Sequence, residues 1–335
     1  MSGRFGRTDG SRPRTGSGGP VLFDSECSTS HRGSVIPACA DRSALWHLSA
    51  NMGTVPSETV LLSHRPVHRM GFGAMQLPGP GVLGPPRDHD QALAVLRQAA
   101  DAGVNHIDTA QFYGPNVANE LIHEALHPYP ADLVLVSKVG AARNEEGHWL
   151  PAQRPAELRA GIEANLATLQ LEQIPVVNLR RHPESEVPFG EQVEAMMEMR
   201  REGLIGGIGL SNVTLDEFHV ARGQTEVACV QNAFNLIDRS DQDVFDACHA
   251  DGVPYVPFFP LGSAFNPANP VLHAPAVQET ARRLQVTPAQ VALAWLLHQS
   301  PTVLLIPGTS SLRHLEENLA AAELSLDQEA LAALP

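Results

Sequence analysis

From about Arg69 onward, apolar runs of 4–7 residues alternate with amphipathic stretches of 10–17. Short apolar runs read as buried strands and the longer, 3.6-periodic stretches as helices. The strand candidates are 70–75, 105–108, 133–138, 176–180, 207–211, 229–231, 255–258 and 303–306. Helices fit between them. Residues 88–102 put Leu93, Leu96 and Ala100 on one face. Residues 155–169 open on Pro155, and 287–298 open on Thr287-Pro288, a cap followed by proline at the first helical position. Val213-Thr214-Leu215-Asp216-Glu217 also reads as a capped start. Eight strand/helix units in roughly 265 residues suit an α/β fold of the (β/α)8 TIM-barrel type. A doubly wound sheet is the alternative. Against it, no G-x-G-x-x-G follows an early strand, and Gly71 and Gly73 sit inside a strand signal.

Ahead of the barrel, 58–68 reads as a short N-terminal hairpin. Residues 1–52 are rich in Gly, Ser, Arg and Thr without periodicity, so the division is a disordered tail over 1–52 and a barrel over 53–335, with Met52 a natural start. The tail has no continuous apolar segment of the secretory kind, and Asp9, Asp24, Glu26 and Asp41 speak against an organelle transit peptide. The 43% hydrophobic content is enough for a large core. The net charge is −14; six Arg and four acids in residues 1–50 contribute +2, so the remainder carries −16. A domain that acidic disfavours nucleic acid and anionic membrane. No apolar run is long enough to span a bilayer. Cys27, Cys39, Cys229 and Cys248 form no C-x-x-C pair and read as free thiols in a reducing cytosol, which makes the expected location cytoplasmic. No His/Cys cluster has metal-ligand spacing, so no metal is expected.

In a barrel the active site lies at the C-terminal ends of the strands. Asp108 ends the second strand and Tyr113 follows it by five residues; Lys138 ends the third. A phenol beside an ammonium releases its proton more readily, and a carboxylate keeps the ammonium charged and in place. That trio suits protonation of a carbonyl oxygen while hydride arrives at carbon. Singly, each has an ordinary structural use, as a turn residue or in packing; the combination on consecutive strands argues for catalysis. Arg180, Ser211-Asn212, Gln231 and Phe258 end the next four strands. Loops at 76–86, 143–151 and 263–270 should wall the pocket, with Gln76 and Trp149 as substrate contacts and Trp149 as an aromatic lid.

Taken in order, these motifs resemble the aldo/keto reductase family over 70–334. The resemblance implies a catalytic set of Asp108, Tyr113 and Lys138, and NADPH as cofactor. It also implies that Ser211, Asn212 and Gln231 hold the nicotinamide amide while Phe258, followed by Pro260 and Leu261, flanks the ring. The segment Gly308-Thr309-Ser310-Ser311 is similar to the family's phosphate loop, with Glu317 and Asn318 at the adenine. Gly308 stands where Lys is common and His314 where Arg is common, with Arg313 one residue away, which leaves NADH as the alternative. The strings Gly73-Ala74-Met75-Gln76-Leu77, Val176-Val177-Asn178-Leu179-Arg180 and Pro254-Tyr255-Val256-Pro257-Phe258 resemble a bacterial branch that includes pyridoxal reductases. This implies a small-molecule aldehyde substrate, pyridoxal reduced to pyridoxine. The sequence is silent on oligomeric state.

One position departs from the family. Its fourth catalytic residue is a His ending the fourth strand, and here the chain reads Leu179-Arg180-Arg181-His182-Pro183. Counting from the strand core puts Arg180 in that slot; counting back from Pro183 puts Arg181 there. The reading adopted is Arg180, with His182 in the outer loop. Arginine does not deprotonate near neutral pH, so it supports charge rather than relaying a proton. Other readings that such a change permits are reduction of another aromatic aldehyde or an activated C=C bond, and a non-catalytic NADPH-binding subunit.

Overall fold

The computed structural model describes residues 58–263 and 268–335. The expected disordered tail over 1–52, the boundary at 53, Cys27 and Cys39 lie outside the described residues.

A hairpin comes first, with β1 (Thr59–Leu62) antiparallel to β2 (Arg65–His68). Then follow β3 (Phe72–Gly73), β4 (His106–Asp108) and β5 (Val134–Val139). A second small hairpin, β6 (Ala141–Arg143) with β7 (Trp149–Pro151), precedes β8 (Ile174–Arg180), β9 (Ile205–Ser211) and β10 (Val230–Gln231). Six strands pair in parallel in the order β3-β4-β5-β8-β9-β10. The ring is completed by parallel bridges from Val230 to Tyr255, from Tyr255 to Val303, and from Leu305 back to Met70. Gly71 N donates to Leu305 O at 2.7 Å and Leu305 N to Arg69 O at 2.8 Å, joining the eighth position to the first. The architecture is the eight-fold α/β barrel that the alternation implies.

The first, seventh and eighth strand positions are shorter than their apolar runs suggest, the eighth being reduced to bridges at Val303 and Leu305. The seventh contains Pro254 and Pro257, which have no N–H for a ladder, so only bridges form there. The first narrows to Phe72–Gly73 because the chain turns into a 3-10 helix at Ala74–Gln76. A Cβ on Gly73 would collide with Ile306 O, and one on Gly308 would meet Gly73 O at 2.5 Å. The barrel closes there by backbone against backbone.

The helices are α1 (His89–Asp101), α2 (Val117–Leu126), α3 (Pro155–Leu169), α4 (Phe189–Arg201), α5 (Leu215–Gln224), α6 (Gln242–Asp251), α7 (Pro275–Leu284), α8 (Pro288–Gln299), α9 (Leu312–Ala320) and α10 (Gln328–Ala333). The expected caps form: Asp88 accepts from Gln91 N, and Thr214 with Glu217 and Thr287 with Gln290 make capping boxes. Each is worth about 1 kcal/mol. Leu62 and Val67 of the first hairpin are fully buried in a cluster with Val134, Val136, Val176, Val256 and Leu304. The hairpin therefore plugs one end of the barrel, contributing about 1.5–3 kcal/mol for each of those two side chains. A larger apolar layer lies between strands and helices.

Candidate active site

Period-2 alternation decides which side chains face the barrel axis. In β5, Val134, Val136 and Lys138 share one face, and Ser137 points the other way. The outward-facing polar residues are tied down. Thr109 Oγ1 donates to Asn119 Oδ1 at 2.8 Å, Asn119 Nδ2 donates to Asn165 Oδ1 at 2.8 Å, and Ser137 Oγ donates to Asn165 Oδ1 at 2.6 Å. This buried network anchors the strand residues next to Asp108 and Lys138 to α2 and α3, and so holds both catalytic candidates inward. Sequence reasoning missed Asn119 and Asn165; their signal is a polar residue where α2 and α3 should be apolar.

Asp108 and Lys138 are each 2% exposed. Lys138 Nζ donates to Asp108 Oδ1 at 2.5 Å and to Thr109 O at 3.0 Å. The second carboxylate oxygen accepts from Gln231 Nε2 at 2.9 Å. Burial alone would pull the ammonium's pKa down, but Asp108 and Tyr113 outweigh it and hold the pKa above its ordinary value. Lys138 is also the only lysine among 335 residues, every other basic side chain of the Lys/Arg kind being Arg. That count is a signal the sequence reading passed over. Nζ lies 4.9 Å from the Tyr113 ring centroid. Tyr113 is 6% exposed and packs edge-on against Phe112 (5.4 Å, 89°), which in turn meets Trp149 edge-on (5.5 Å, 83°). The Arg143 guanidinium sits 4.2 Å from the Trp149 ring.

The Arg180–Arg181 ambiguity is resolved by the same alternation. Val176, Asn178 and Arg180 share a face, and Arg180 reaches the cavity, 5.9 Å from the Phe258 centroid. Arg181 points away, bonded to Glu217 at 2.6 Å and to Gln153 Oε1 at 3.0 Å. His182 accepts Glu184 N at 3.3 Å in the outer loop. Arg180 forms no ion pair among the described residues; burial lowers its pKa and the Tyr113 phenol partly offsets this.

These groups open on a cavity of about 610 Å³. Its lining brings together Gln76, Asp108, Tyr113, Lys138, Trp149, Arg180 and Gln231. Phe258, Pro260 and Leu261 continue the wall to Gly308, Thr309, Ser310 and His314. Lining residues the sequence did not single out include Met75, Phe112, Phe259 and Leu272. The third expected wall, 263–270, supplies Asn269, while 264–267 fall outside the described residues.

Five expected cofactor residues lie outside that lining. Ser211 is fully buried at the end of β9 beside Gln231, and its Oγ has no hydrogen-bond partner among the described residues. Asn212 is exposed and spends its amide on Arg181 O at 3.1 Å. Ser311 caps α9 by accepting His314 N, Glu317 is paired with Arg313, and Asn318 is 5% exposed. Gln231 lines the cavity, but its NH2 is engaged by Asp108 rather than left for a ligand. Among the described residues no group of three or more His, Cys, Asp or Glu could hold a metal, and no helix is long and apolar enough to cross a membrane. Cys229 and Cys248 are buried and free; burial raises both thiols, Cys248 to about 12.

A parallel barrel with a buried Asp–Lys pair against a tyrosine at its strand ends defines an oxidoreductase acting on carbonyl or CH–OH groups. The chain belongs to the aldo/keto reductase family, whose model matches residues 69–335. It is 50% identical over 283 residues to pyridoxine 4-dehydrogenase of Escherichia coli (strain K12), covering 83% of this chain and 97% of that protein. It is 37% identical over 277 residues to an uncharacterized oxidoreductase of Schizosaccharomyces pombe, covering 82% and 88%. Its fold is similar to that of an aldo/keto reductase from Klebsiella pneumoniae in complex with NADP and acetate. That match has a TM-score of 0.69 and 27% identity, over 83% of this chain and 94% of the other.

Proposed function

We propose that this chain reduces pyridoxal to pyridoxine with NADPH, Tyr113 being the proton donor. The observation that carries the reading is the buried Lys138–Asp108 pair against Tyr113 at the head of an aromatic-walled cavity. The similarity to pyridoxine 4-dehydrogenase supports the substrate. The residues fit a nicotinamide cofactor. The orphaned Ser211 Oγ beside Gln231 suits a carboxamide, Phe258 offers a flat face, and the N-terminus of α9 opens at Ser310 and His314, where backbone amides favour phosphate.

When bound, the cofactor supplies the hydride that forms the new C–H bond. Tyr113 Oη gives its proton to the carbonyl oxygen as the C=O π bond breaks. Lys138 and Arg180 hold the phenolate charge left behind, and solvent returns the proton. Asp108, with its second oxygen on Gln231, keeps the ammonium aimed at the phenol. Arg180 stays charged throughout and does not relay.

NADH is the second reading, and a specific observation favours it. Gly308 has no room for a side chain against Gly73 O, and Arg313 is already paired with Glu317. Neither offers a free cation to a 2′-phosphate. The test is pyridoxal with NADPH and NADH side by side, in the wild type and Tyr113→Phe. The variant should bind cofactor with unchanged affinity and lose turnover. Full activity in Tyr113→Phe would remove that phenol from the chemistry.

A further inference from the structure

Besides Tyr113, four titratable residues line the cavity: Asp108, Lys138 and Arg180, with His314 at the far end. The first two neutralise one another at 2.5 Å. The guanidinium is left as one uncompensated positive charge at the reacting end, partly buried and without a carboxylate among the described residues. Its neighbour Arg181 does have one. A desolvated cation without a counter-ion is costly, and an anion that enters beside it relieves that cost. Arg180 and Tyr113 line the same cavity, so an anion received by the guanidinium shares that space with the oxygen Tyr113 protonates. A guanidinium presents paired N–H donors in one plane, which suits two oxygens held side by side. Phe258 stands 5.9 Å from the guanidinium, and Phe112 and Trp149 add two more rings to the cavity wall, which suits a flat aromatic body.

We propose that Arg180 is a specificity residue that receives aromatic aldehydes as their ortho-phenolates, its fork spanning the aldehyde oxygen and the ionised oxygen on the adjacent ring carbon. This rests on the reductase reading and deepens it. Pyridoxal, whose ring hydroxyl adjoins its aldehyde, is one member of the class. The feature selected is the adjacent anionic oxygen rather than the pyridine ring. A fourth-strand histidine, neutral near pH 7, would not make that selection.

Two measurements test this. The first compares kcat/KM for 2-hydroxybenzaldehyde, 2-methoxybenzaldehyde and 3-hydroxybenzaldehyde in wild type, Arg180→Met and Arg180→Lys. A charge-assisted bond predicts a preference of about 10–100-fold for the 2-hydroxy compound. The preference should be carried mainly in KM, fall to within about 3-fold in Arg180→Met, and be only partly restored in Arg180→Lys. The second records the absorption spectrum of 2-hydroxybenzaldehyde bound to Tyr113→Phe, below the pH at which the free compound ionises. The phenolate band should appear, and should be lost when Arg180→Met is added. Reduction of all three aldehydes without ortho preference would overturn the proposal and leave the reductase reading standing. Absence of any reduction would end the reductase reading, and the bound spectrum would still decide the subsite: a neutral phenol overturns it. An Arg180-dependent preference for 2-oxo-2-phenylacetate over 2-hydroxybenzaldehyde would assign the fork to a carboxylate instead, and would also overturn it.

Discussion

Replacing Lys138 with Met should damage folding and catalysis together, and a second substitution should separate the two. The ammonium and the Asp108 carboxylate are each 2% exposed and 2.5 Å apart. Removing one partner leaves a buried, uncompensated charge, a change that costs about 3–5 kcal/mol. Asp108 keeps Gln231 Nε2 at 2.9 Å, so the lower end, about 3 kcal/mol, is expected. Large domains lose about 2–4 °C of melting temperature per kcal/mol, giving a drop of about 6–12 °C. In Asp108→Asn with Lys138→Met both charges are gone and the Asn carbonyl still accepts from Gln231. Stability should then return to within about 1 kcal/mol of wild type. Activity should not return; kcat/KM should stay down by about 100-fold or more in both, since the phenol has lost its ammonium. Thermal melts and steady-state assays on the wild type, the two single variants and the double variant form a closed cycle. Additive losses of stability in the double variant would refute the buried-pair argument. A Lys138→Met protein melting within 1–2 °C of wild type would do the same.

Three other outcomes follow from the geometry. Trp149→Ala removes the ring between Phe112 and Arg143, and should raise KM for an aromatic aldehyde about 3–10-fold with little change in kcat; an unchanged KM would reduce Trp149 to loop packing. His106 is 1% exposed with its Nδ1 unpartnered, and burial holds its pKa down at about 4, with Asp108 raising it and Lys138 lowering it. Its unfolded pKa is about 6.5, so between those values the unfolded chain binds more protons and stability falls as pH falls, by about 3 kcal/mol at pH 4. Denaturant titrations should show that slope shrinking in His106→Gln, and parallel pH profiles for the two proteins would sink the argument. Gly308→Ala would bring a Cβ to 2.5 Å from Gly73 O, backbone against side chain with no flexible atom to yield. It should cost about 1–3 kcal/mol, and an unchanged melting temperature would show that the barrel opens there without strain.

How far the site was legible depends on the range of the interaction. Asp108, Tyr113 and Lys138 were singled out because each ends or follows an apolar run, and a run's end is local information. Arg180 could be placed only to within one residue, because Pro183 and the strand core count differently; the inward register of Val176 and Asn178 decides it. Ser211, Asn212, Ser311, Glu317 and Asn318 were assigned by family position, and in the fold they sit behind or beyond the cavity lining. Phe112 and Met75 line the cavity, but nothing in their neighbourhood separates them from core residues.

The sequence by itself determined the alternation, and therefore the parallel barrel, the caps and the rim on which polar residues gather, because these depend on periodicity and on neighbours a few residues apart. Tertiary structure alone decided who meets whom on that rim. Gln231 reaches Asp108 across 123 positions of sequence, Asn165 gathers Ser137 and Asn119, and Arg181 finds Glu217 while Arg180 finds no acid among the described residues. Periodicity fixes the face a side chain takes; its partner depends on how the strands are staggered when the ring closes, and that is a property of the whole chain at once.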